Sequence, residues 1–413
     1  MMSLQEKNER LISDIARLVD DVVSLEELKT MLDSGKKLTI KYGVDCTAPF
    51  LHLGHAVNLW VMRRFQEDGH KVIFLIGNFT SRIGDPTGRS TTRKMLSDKE
   101  IEEAANEFIK QVKTVLITDN PEVFEIRKNA EWFGNMPLSE FINLCTTVTH
   151  SKLIARDMFK KRIRDNSEIY LNEMLYPILQ GYDSVMLDSD LTVVGSDQLF
   201  NEMMGRFFQE KFGQTKQIVM TTKITKGLWG EEKQSKSIGN FVALTDTSKD
   251  KFGKIMTLAD DRIVEWMKVY TDIPLEEIES IRVKLERDEI NPRDAKMKLA
   301  HSIVTRYHGS QTADAEMHQF IETFSKKAFP IDAPKIEVTS ERINIIELIG
   351  MCCTSISKSQ IRRLIQQGAV LLNDDKIIDP QVEVILEMNN TLKVGKRNFF
   401  KVVVKNKETS KIV

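Results

Sequence analysis

A strand that turns abruptly into a helix constrains this chain more than any other feature. Leu38-Thr39-Ile40 supplies β-formers, Gly43 and Pro49 break the run, and Ala56, Val57, Leu59, Trp60, Val61, Met62 and Phe65 repeat at helical spacing. The stretch Lys41 to His55 therefore ends at a helix N-terminus, where unpaired backbone N–H groups and the positive end of the helix dipole favour an anion such as phosphate. His52 and His55, three apart in the first turn, would share a face and both donate to phosphate oxygens. Gly54 between them leaves room for a flat base or ribose to approach the backbone. The alternative is two surface histidines at a helix cap. A zinc site is not expected, because the His-Glu-x-x-His pattern is missing.

After that helix, Gly69-His70 ends the element and Val72 to Gly77 forms a continuous apolar run of strand length, the mark of a parallel strand buried on both faces. Strand, helix and strand make a βαβ unit, so the expected fold class is α/β, a doubly wound parallel-sheet (Rossmann-like) domain. Leu191 to Val194 is a further buried strand, ended by Gly195-Ser196-Asp197-Gln198. An acid just after a parallel strand is placed to grip ribose hydroxyls, although Asp or Ser here would serve equally as an N-cap. Ligands in such folds bind at the C-terminal ends of the strands, which is where these motifs fall.

At 413 residues the chain is long enough for two or three domains. Its charges nearly cancel, to a formal −1, so a polyanionic partner is neither demanded nor excluded. The four cysteines have no C-x-x-C spacing, so disulfides and structural zinc are not expected and a reducing cytoplasm fits. No apolar run approaches the roughly 18 residues of a membrane span. The expectation is a soluble cytoplasmic protein without membrane contact.

In chain order, residues 4 to 32 have helical spacing and are expected to form a helical pair packed on the main domain. Ser81 to Lys94 holds Asp85, Arg89 and Arg93 in a glycine-containing loop that is not a Walker loop, because its glycines are four apart and Arg89 replaces the lysine. It reads as an acid reaching into a pocket with two arginines able to meet phosphates, or as a polar surface turn. Residues about 97–165 look like a helical insertion between the halves of the sheet, whose apolar faces would serve a dimer contact or the core. Tyr176, Gln180 and Asp183 are spaced four and three apart, on one helix face, and would line a small polar-ended pocket or a hydrated surface. Gly227 to Asn240 is a hinged loop whose Lys233 and Lys236 can reach a polyphosphate. Residues 246–325 are helical and charge-laced, 326–342 read as a linker, and 343–413 as a separate unit. In that unit a capped helix carries Lys358, Arg362 and Arg363, followed by a lysine-rich tail suited to a phosphate backbone.

The ordered set His-Leu-Gly-His, Gly-Asp-Pro-Thr-Gly, Tyr-x3-Gln-x2-Asp, Gly-Ser-Asp-Gln and Lys-x-Ser-Lys-Ser resembles bacterial tyrosyl-tRNA synthetases, class I aminoacyl-tRNA ligases, across nearly the whole chain. The tail resembles their S-four RNA-binding domain. The resemblance implies a catalytic domain at 1–225, the lysine-signature loop at 226–245, an anticodon-side helical domain at 246–325 and a small α+β RNA-binding domain at 343–413. It implies that His52 and His55 stabilise ATP phosphates and that Lys233 and Lys236 close over pyrophosphate; Arg89 and Arg93, from the loop that can meet phosphates, are expected among the catalytic residues. Asp183 would accept from the tyrosine hydroxyl; Tyr176, Gln180 and Asp85 would hold the ammonium group. Gln198 would lie near the carboxylate, Asp197 and Gly195 at the ribose, and Gly43, Asp45 and Thr47 along the adenylate. Lys41 stands where one branch of the family has a tyrosine that touches the substrate hydroxyl. Gln234 replaces the usual methionine of the lysine loop, and Asn78, beside the amino-acid pocket, and Val194, against the adenylate, also depart from the pattern. ATP would enter with Mg²⁺ as a substrate complex, with no protein metal ligands and no tightly bound cofactor; the partners would be tRNA(Tyr), L-tyrosine and a second subunit. A paralogue that activates a tyrosine analogue or confers inhibitor resistance, or a non-catalytic RNA-binding regulator, is the alternative.

Overall fold

The computed structural model describes residues 3–45, 50–85, 97–235, 238–325, 333–353, 356–395 and 398–404. They divide into two compact units, 1–313 and 314–413.

The first unit is built on a six-stranded sheet of order β1-β6-β5-β2-β3-β4, comprising β1 (Val19–Val23), β2 (Thr39–Val44), β3 (Lys71–Ile76), β4 (Phe124–Lys128), β5 (Leu191–Gly195) and β6 (Ile218–Thr222). Strands β2 to β6 are parallel and β1 pairs antiparallel with β6. After the antiparallel edge strand β1, the chain lays β2 at the centre, adds β3 and β4 on one side, then returns to add β5 and β6 on the other. The junction of β2 and β5 is therefore the switch point, where a doubly wound sheet opens a crevice. The expected βαβ unit is present as β2, the helix α3 (Leu53–Glu67) and β3.

Two expectations need correction here. The N-terminal segment is not a simple helical pair: α1 (Leu4–Ala16) and α2 (Leu25–Asp33) flank β1, an edge strand. Its sequence Val-Asp-Asp-Val-Val pairs on one side only and leaves both acids exposed, so no apolar run marks it. The 97–165 insertion is not wholly helical either. After α4 (Asp98–Val112), β4 extends the parallel sheet before α5 (Ala130–Phe133), α6 (Leu138–Thr146), α7 (His150–Ile154) and α8 (Asp157–Arg164).

Two long helices then pack closely on each other: α9 (Leu171–Met186) and α10 (Leu199–Lys211). Their contact is close because Gly181 meets Met204 and Phe208 where a Cβ would not fit. Ile178, Leu179, Tyr182, Met204 and Phe208 join Ile73, Leu75, Trp132 and Phe133 in one buried cluster beneath β3. Helices α11 (Ser248–Ile255), α12 (Ile263–Tyr270), α13 (Leu275–Glu286) and α14 (Pro292–His308) follow, matching the helical reading of this region. Helix α15 (Ser310–Phe320) and a π-helical turn to Ser325 complete that stretch.

The second unit has a five-stranded sheet of order β10-β9-β12-β13-β7 and a two-stranded pair, β8 with β11. The strands are β7 (Lys335–Val338), β8 (Arg342–Asn344), β9 (Val370–Leu372), β10 (Asp375–Ile377), β11 (Glu383–Ile385), β12 (Asn389–Val394) and β13 (Asn398–Val404). Helices α16 (Ile345–Cys352) and α17 (Lys358–Gln366) bury Leu348, Ile349, Ile361 and Ile365 against Leu392, Val394 and Val402. Asn373 and Asp374 both take positive φ, 51° and 68°, in the tight turn that joins β9 to β10. The 326–342 linker is corrected in part: Lys335–Val338 pairs in parallel with β13. A four-residue edge strand with exposed lysine and glutamate gives too little apolar signal to be read from sequence.

Candidate active site

A cavity of about 400 Å³ opens at the C-terminal ends of β2 and β5 and between α3, α9 and α10. Its size is that of a small-molecule site. Every described residue expected at the catalytic, amino-acid and nucleotide positions lines it: Lys41 and Gly43 from β2 and Asp45 just after it; His52, Gly54 and His55 from the start of α3; Asp85; Tyr176, Gln180 and Asp183 from α9; Gly195 at the end of β5, with Asp197 and Gln198 after it; and Lys233. Thr47, Arg89, Arg93 and Lys236 lie outside the described residues. Asn78 does not line the cavity; its Oδ1 accepts from the Ala130 amide (3.0 Å) and fixes the start of α5. Val194 is buried in the cavity wall.

Asp183, on the inner face of α9, is a buried carboxylate, 4% exposed. Its carboxylate accepts from Trp132 Nε1 (3.0 Å) and from Asn129 Nδ2 (3.5 Å). Burial pushes its pKa up to about 7, against the opposing pull of Lys41 and of these two donors. Lys41, only 1% exposed, lies at the same depth. Its ammonium pairs with Glu202 Oε2 at 2.7 Å and donates to Ser184 Oγ at 2.7 Å. Glu202 in turn accepts from Gln180 Nε2 (2.8 Å) and Gln217 Nε2 (3.1 Å). Lys41 is thus committed to Glu202, a partner that sequence spacing does not reveal.

A polar chain runs from this pair toward Asp85. Asn201 Nδ2 donates to both Gln180 Oε1 (2.9 Å) and Gln198 Oε1 (3.0 Å), and Gln198 Nε2 donates to Asp85 Oδ2 (2.6 Å). A second chain holds Asp45: Tyr176 Oη donates to Oδ2 (3.0 Å) and Thr80 Oγ1 to Oδ1 (2.8 Å). Asn129 Nδ2 donates to Thr80 Oγ1 (3.0 Å), so it joins this chain to Asp183. Burial and the neighbouring carboxylates Asp45 and Asp85 hold the Tyr176 phenol well above its ordinary pKa. The whole arrangement presents carboxylates and amide oxygens with their orientations fixed.

At the start of α3, His52 is the N-cap. Its Nδ1 accepts from the Gly54 amide (3.1 Å), and His55 Nδ1 accepts from the His52 amide (3.3 Å). Acceptance at Nδ1 places the ring proton of each neutral imidazole on Nε2, so both rings carry an N–H beside the helix N-terminus. The segment after the lysine loop is stitched to this one: Leu53 N donates to Val242 O (3.0 Å) and Leu244 N to Leu51 O (2.9 Å). Asn240 is fully buried, and its side chain accepts from Ser235 N and donates to Trp229 O. Lys233, at the loop tip, pairs with Asp197 at 2.8 Å, with both side chains partly exposed.

In the second unit, Lys358, Arg362 and Arg363 all stand exposed on α17, whose N-terminus is closed by a Ser357–Gln360 capping box. The lysine-rich residues 405–413 lie outside the described residues. Among the described residues, no group of three or more His, Cys, Asp or Glu side chains is placed to hold a metal ion.

The chain belongs to the class I tRNA synthetases of the tryptophan and tyrosine family. A family model described as tRNA synthetases class I (W and Y) matches residues 33–325, and one described as the tyrosine--tRNA ligase SYY-like C-terminal domain matches 325–402. Among curated proteins, the chain is 40% identical to the tyrosine--tRNA ligase of Thermotoga maritima, over 95% of this chain and 97% of that one. It is 38% identical to the tyrosine--tRNA ligase of Carboxydothermus hydrogenoformans, over 97% and 98% respectively. The fold is also that of a C-terminally truncated Aspergillus nidulans mitochondrial tyrosyl-tRNA synthetase, at TM-score 0.63 and 24% identity, over 78% of this chain and 95% of that one.

Proposed function

We propose that this chain is a tyrosine--tRNA ligase that joins L-tyrosine to ATP and passes the tyrosyl group to tRNA(Tyr). The observation that carries the reading is Asp183, a buried carboxylate held by Trp132 and Asn129 in the same cavity that the N-terminus of α3 lines. A phenol inserted there donates its O–H to Asp183, whereas a phenyl ring leaves that carboxylate without the bond. Tyr176, Gln180 and Asp85 accept from the substrate ammonium group, and Gln198 orients the carboxylate. ATP enters as its Mg²⁺ complex. The nucleoside lies along Gly43, Asp45, Thr47 and Gly54, with Gly195 and Asp197 at the ribose.

The tyrosine carboxylate then attacks the α-phosphorus, the bond to pyrophosphate breaks, and a mixed anhydride forms. No protein nucleophile is needed. His52 and His55 donate through Nε2 to the phosphate oxygens as charge shifts, and Lys233 leaves Asp197 to meet the departing pyrophosphate together with Lys236, Arg89 and Arg93. A terminal hydroxyl of the tRNA next attacks the carbonyl carbon and AMP leaves. Lys358, Arg362 and Arg363 contact the tRNA backbone. Leu138 and Ile142 on α6 are 74% and 51% exposed, and Leu171 at the start of α9 is 71% exposed. We assign these exposed apolar side chains to a homodimer contact that lets one tRNA span both subunits. No helix among the described residues is long and apolar enough to cross a membrane, and we place the enzyme in the cytoplasm.

ATP–pyrophosphate exchange with each of the twenty amino acids tests the reading. Exchange with tyrosine, followed by charging of tRNA(Tyr), is the expected result. Exchange with another amino acid in preference to tyrosine, or none at all, would overturn it.

A further inference from the structure

We infer that Gln234 reads the 6-amino edge of the nucleobase; this rests on the ATP-site reading above and adds a residue to it. Gln234 is 6% exposed and lines the cavity next to Lys233. Its Nε2 donates to Tyr270 Oη at 2.7 Å, and that hydroxyl shares a second bond, at 2.6 Å, with Thr225 Oγ1, which also lines the cavity. The amide is therefore anchored at one end. Its other end, Oε1, is buried and has no hydrogen-bond partner among the described residues. A buried amide oxygen is costly to leave unpaired, so such an orphan at the edge of a site marks the place of a ligand donor.

The location selects the donor. Gln234 Nε2 lies 3.6 Å from where a Cβ on Gly54 would stand, so the amide adjoins the one backbone position at the start of α3 that admits a flat ring. The amide atom that adjoins Gly54 is Nε2, with Oε1 buried; in the nucleotide-bound state the amide turns about its Tyr270 bond so that Oε1 meets the edge of a base laid against Gly54. Adenine offers an N–H₂ donor there. A 6-oxopurine offers an acceptor, which Oε1 repels, and an unsubstituted purine offers nothing. A methionine at this position supplies only a weakly accepting thioether and cannot make the distinction.

The test is equilibrium binding of Mg²⁺-ATP, Mg²⁺-ITP and Mg²⁺-purine riboside triphosphate to the full chain by calorimetry, for the wild type, Gln234→Met and Tyr270→Phe. The wild type is expected to bind ATP about tenfold more tightly than purine riboside triphosphate, and ITP more weakly still. Gln234→Met is expected to bring the ATP and purine affinities to within about twofold of each other while tyrosine affinity stays unchanged. Tyr270→Phe, which frees the amide, should lower the ratio part of the way. Equal wild-type affinity for ATP and the purine analogue overturns the inference, as does a Gln234→Met variant that keeps the wild-type ratio. Failure to bind any nucleotide at millimolar concentration would instead remove the ATP site itself, and the inference with it.

Discussion

The ionisation of Asp183 gives a direct handle on substrate recognition. Its pKa stands at about 7 because the carboxylate is buried, so in the tyrosine-free protein it carries its proton for half the time at neutral pH. A tyrosine hydroxyl donates to the ionised form, so binding selects the carboxylate and expels the proton. The sign follows: affinity is weakest in acid, rises through pH 7 and levels off above it. With one such group the ionised fraction climbs from about 9% at pH 6 to about 91% at pH 8, a tenfold gain in apparent affinity, or about 1.4 kcal/mol. The substrate's phenol, with an ordinary pKa of about 10, does not titrate across this window. Calorimetry of tyrosine binding from pH 6 to 8, in two buffers of different ionisation enthalpy, measures both the slope and the released proton, expected at about one half per site at pH 7. Asp183→Asn should bind tyrosine weakly at every pH and show no slope. A flat wild-type profile, or a slope that survives in Asp183→Asn, would refute the reasoning.

Three further outcomes follow from the same geometry. Lys41→Met leaves the Glu202 carboxylate, 2% exposed, without its cation, and should destabilise the first unit by about 3–5 kcal/mol in urea unfolding while moving the tyrosine-binding profile to higher pH. Trp132→Phe keeps an aromatic side chain but removes the indole donor to Asp183 Oδ1, so it should shift the same profile upward and weaken tyrosine binding at pH 7 by about 1.5–3 kcal/mol without changing ATP affinity. Lys233→Ala breaks only a partly exposed pair with Asp197, so stability by thermal unfolding should change by less than about 1 kcal/mol, while single-turnover adenylate formation slows far more than tyrosine binding weakens.

The elements that build the site were legible because each announces itself locally. β3 holds an uninterrupted apolar run, β2 is marked by the β-formers Leu38-Thr39-Ile40 and the break at Gly43, α3 and α9 have clear helical periodicity, and the Tyr176, Gln180 and Asp183 spacing places all three on the face that does line the cavity. The edge strands β1, β4 and β7 escaped notice because strands paired on one side need no continuous apolar sequence: β1 exposes Asp20 and Asp21, β7 exposes Lys335 and Glu337, and β4 interleaves Glu125, Arg127 and Lys128 with Phe124 and Ile126. The buried polar network was hidden for a different reason. Lys41 and Glu202 are 161 positions apart and meet only after β2 and α10 pack, and nothing in the periodicity of α10 marks Glu202 as a buried charge. Trp132 and Phe133 were visible as aromatics beside a turn, but the bond from Trp132 to Asp183 exists only once β4 extends the sheet.

The central claim is that Asp183 and its donors make the cavity specific for a phenol. The most direct test is to compare kcat/KM for tyrosine and phenylalanine in ATP–pyrophosphate exchange, in the wild type and in Asp183→Ala. The account predicts strong wild-type preference for tyrosine that collapses in Asp183→Ala through loss of tyrosine activity. A preference that persists without the Asp183 carboxylate would contradict it.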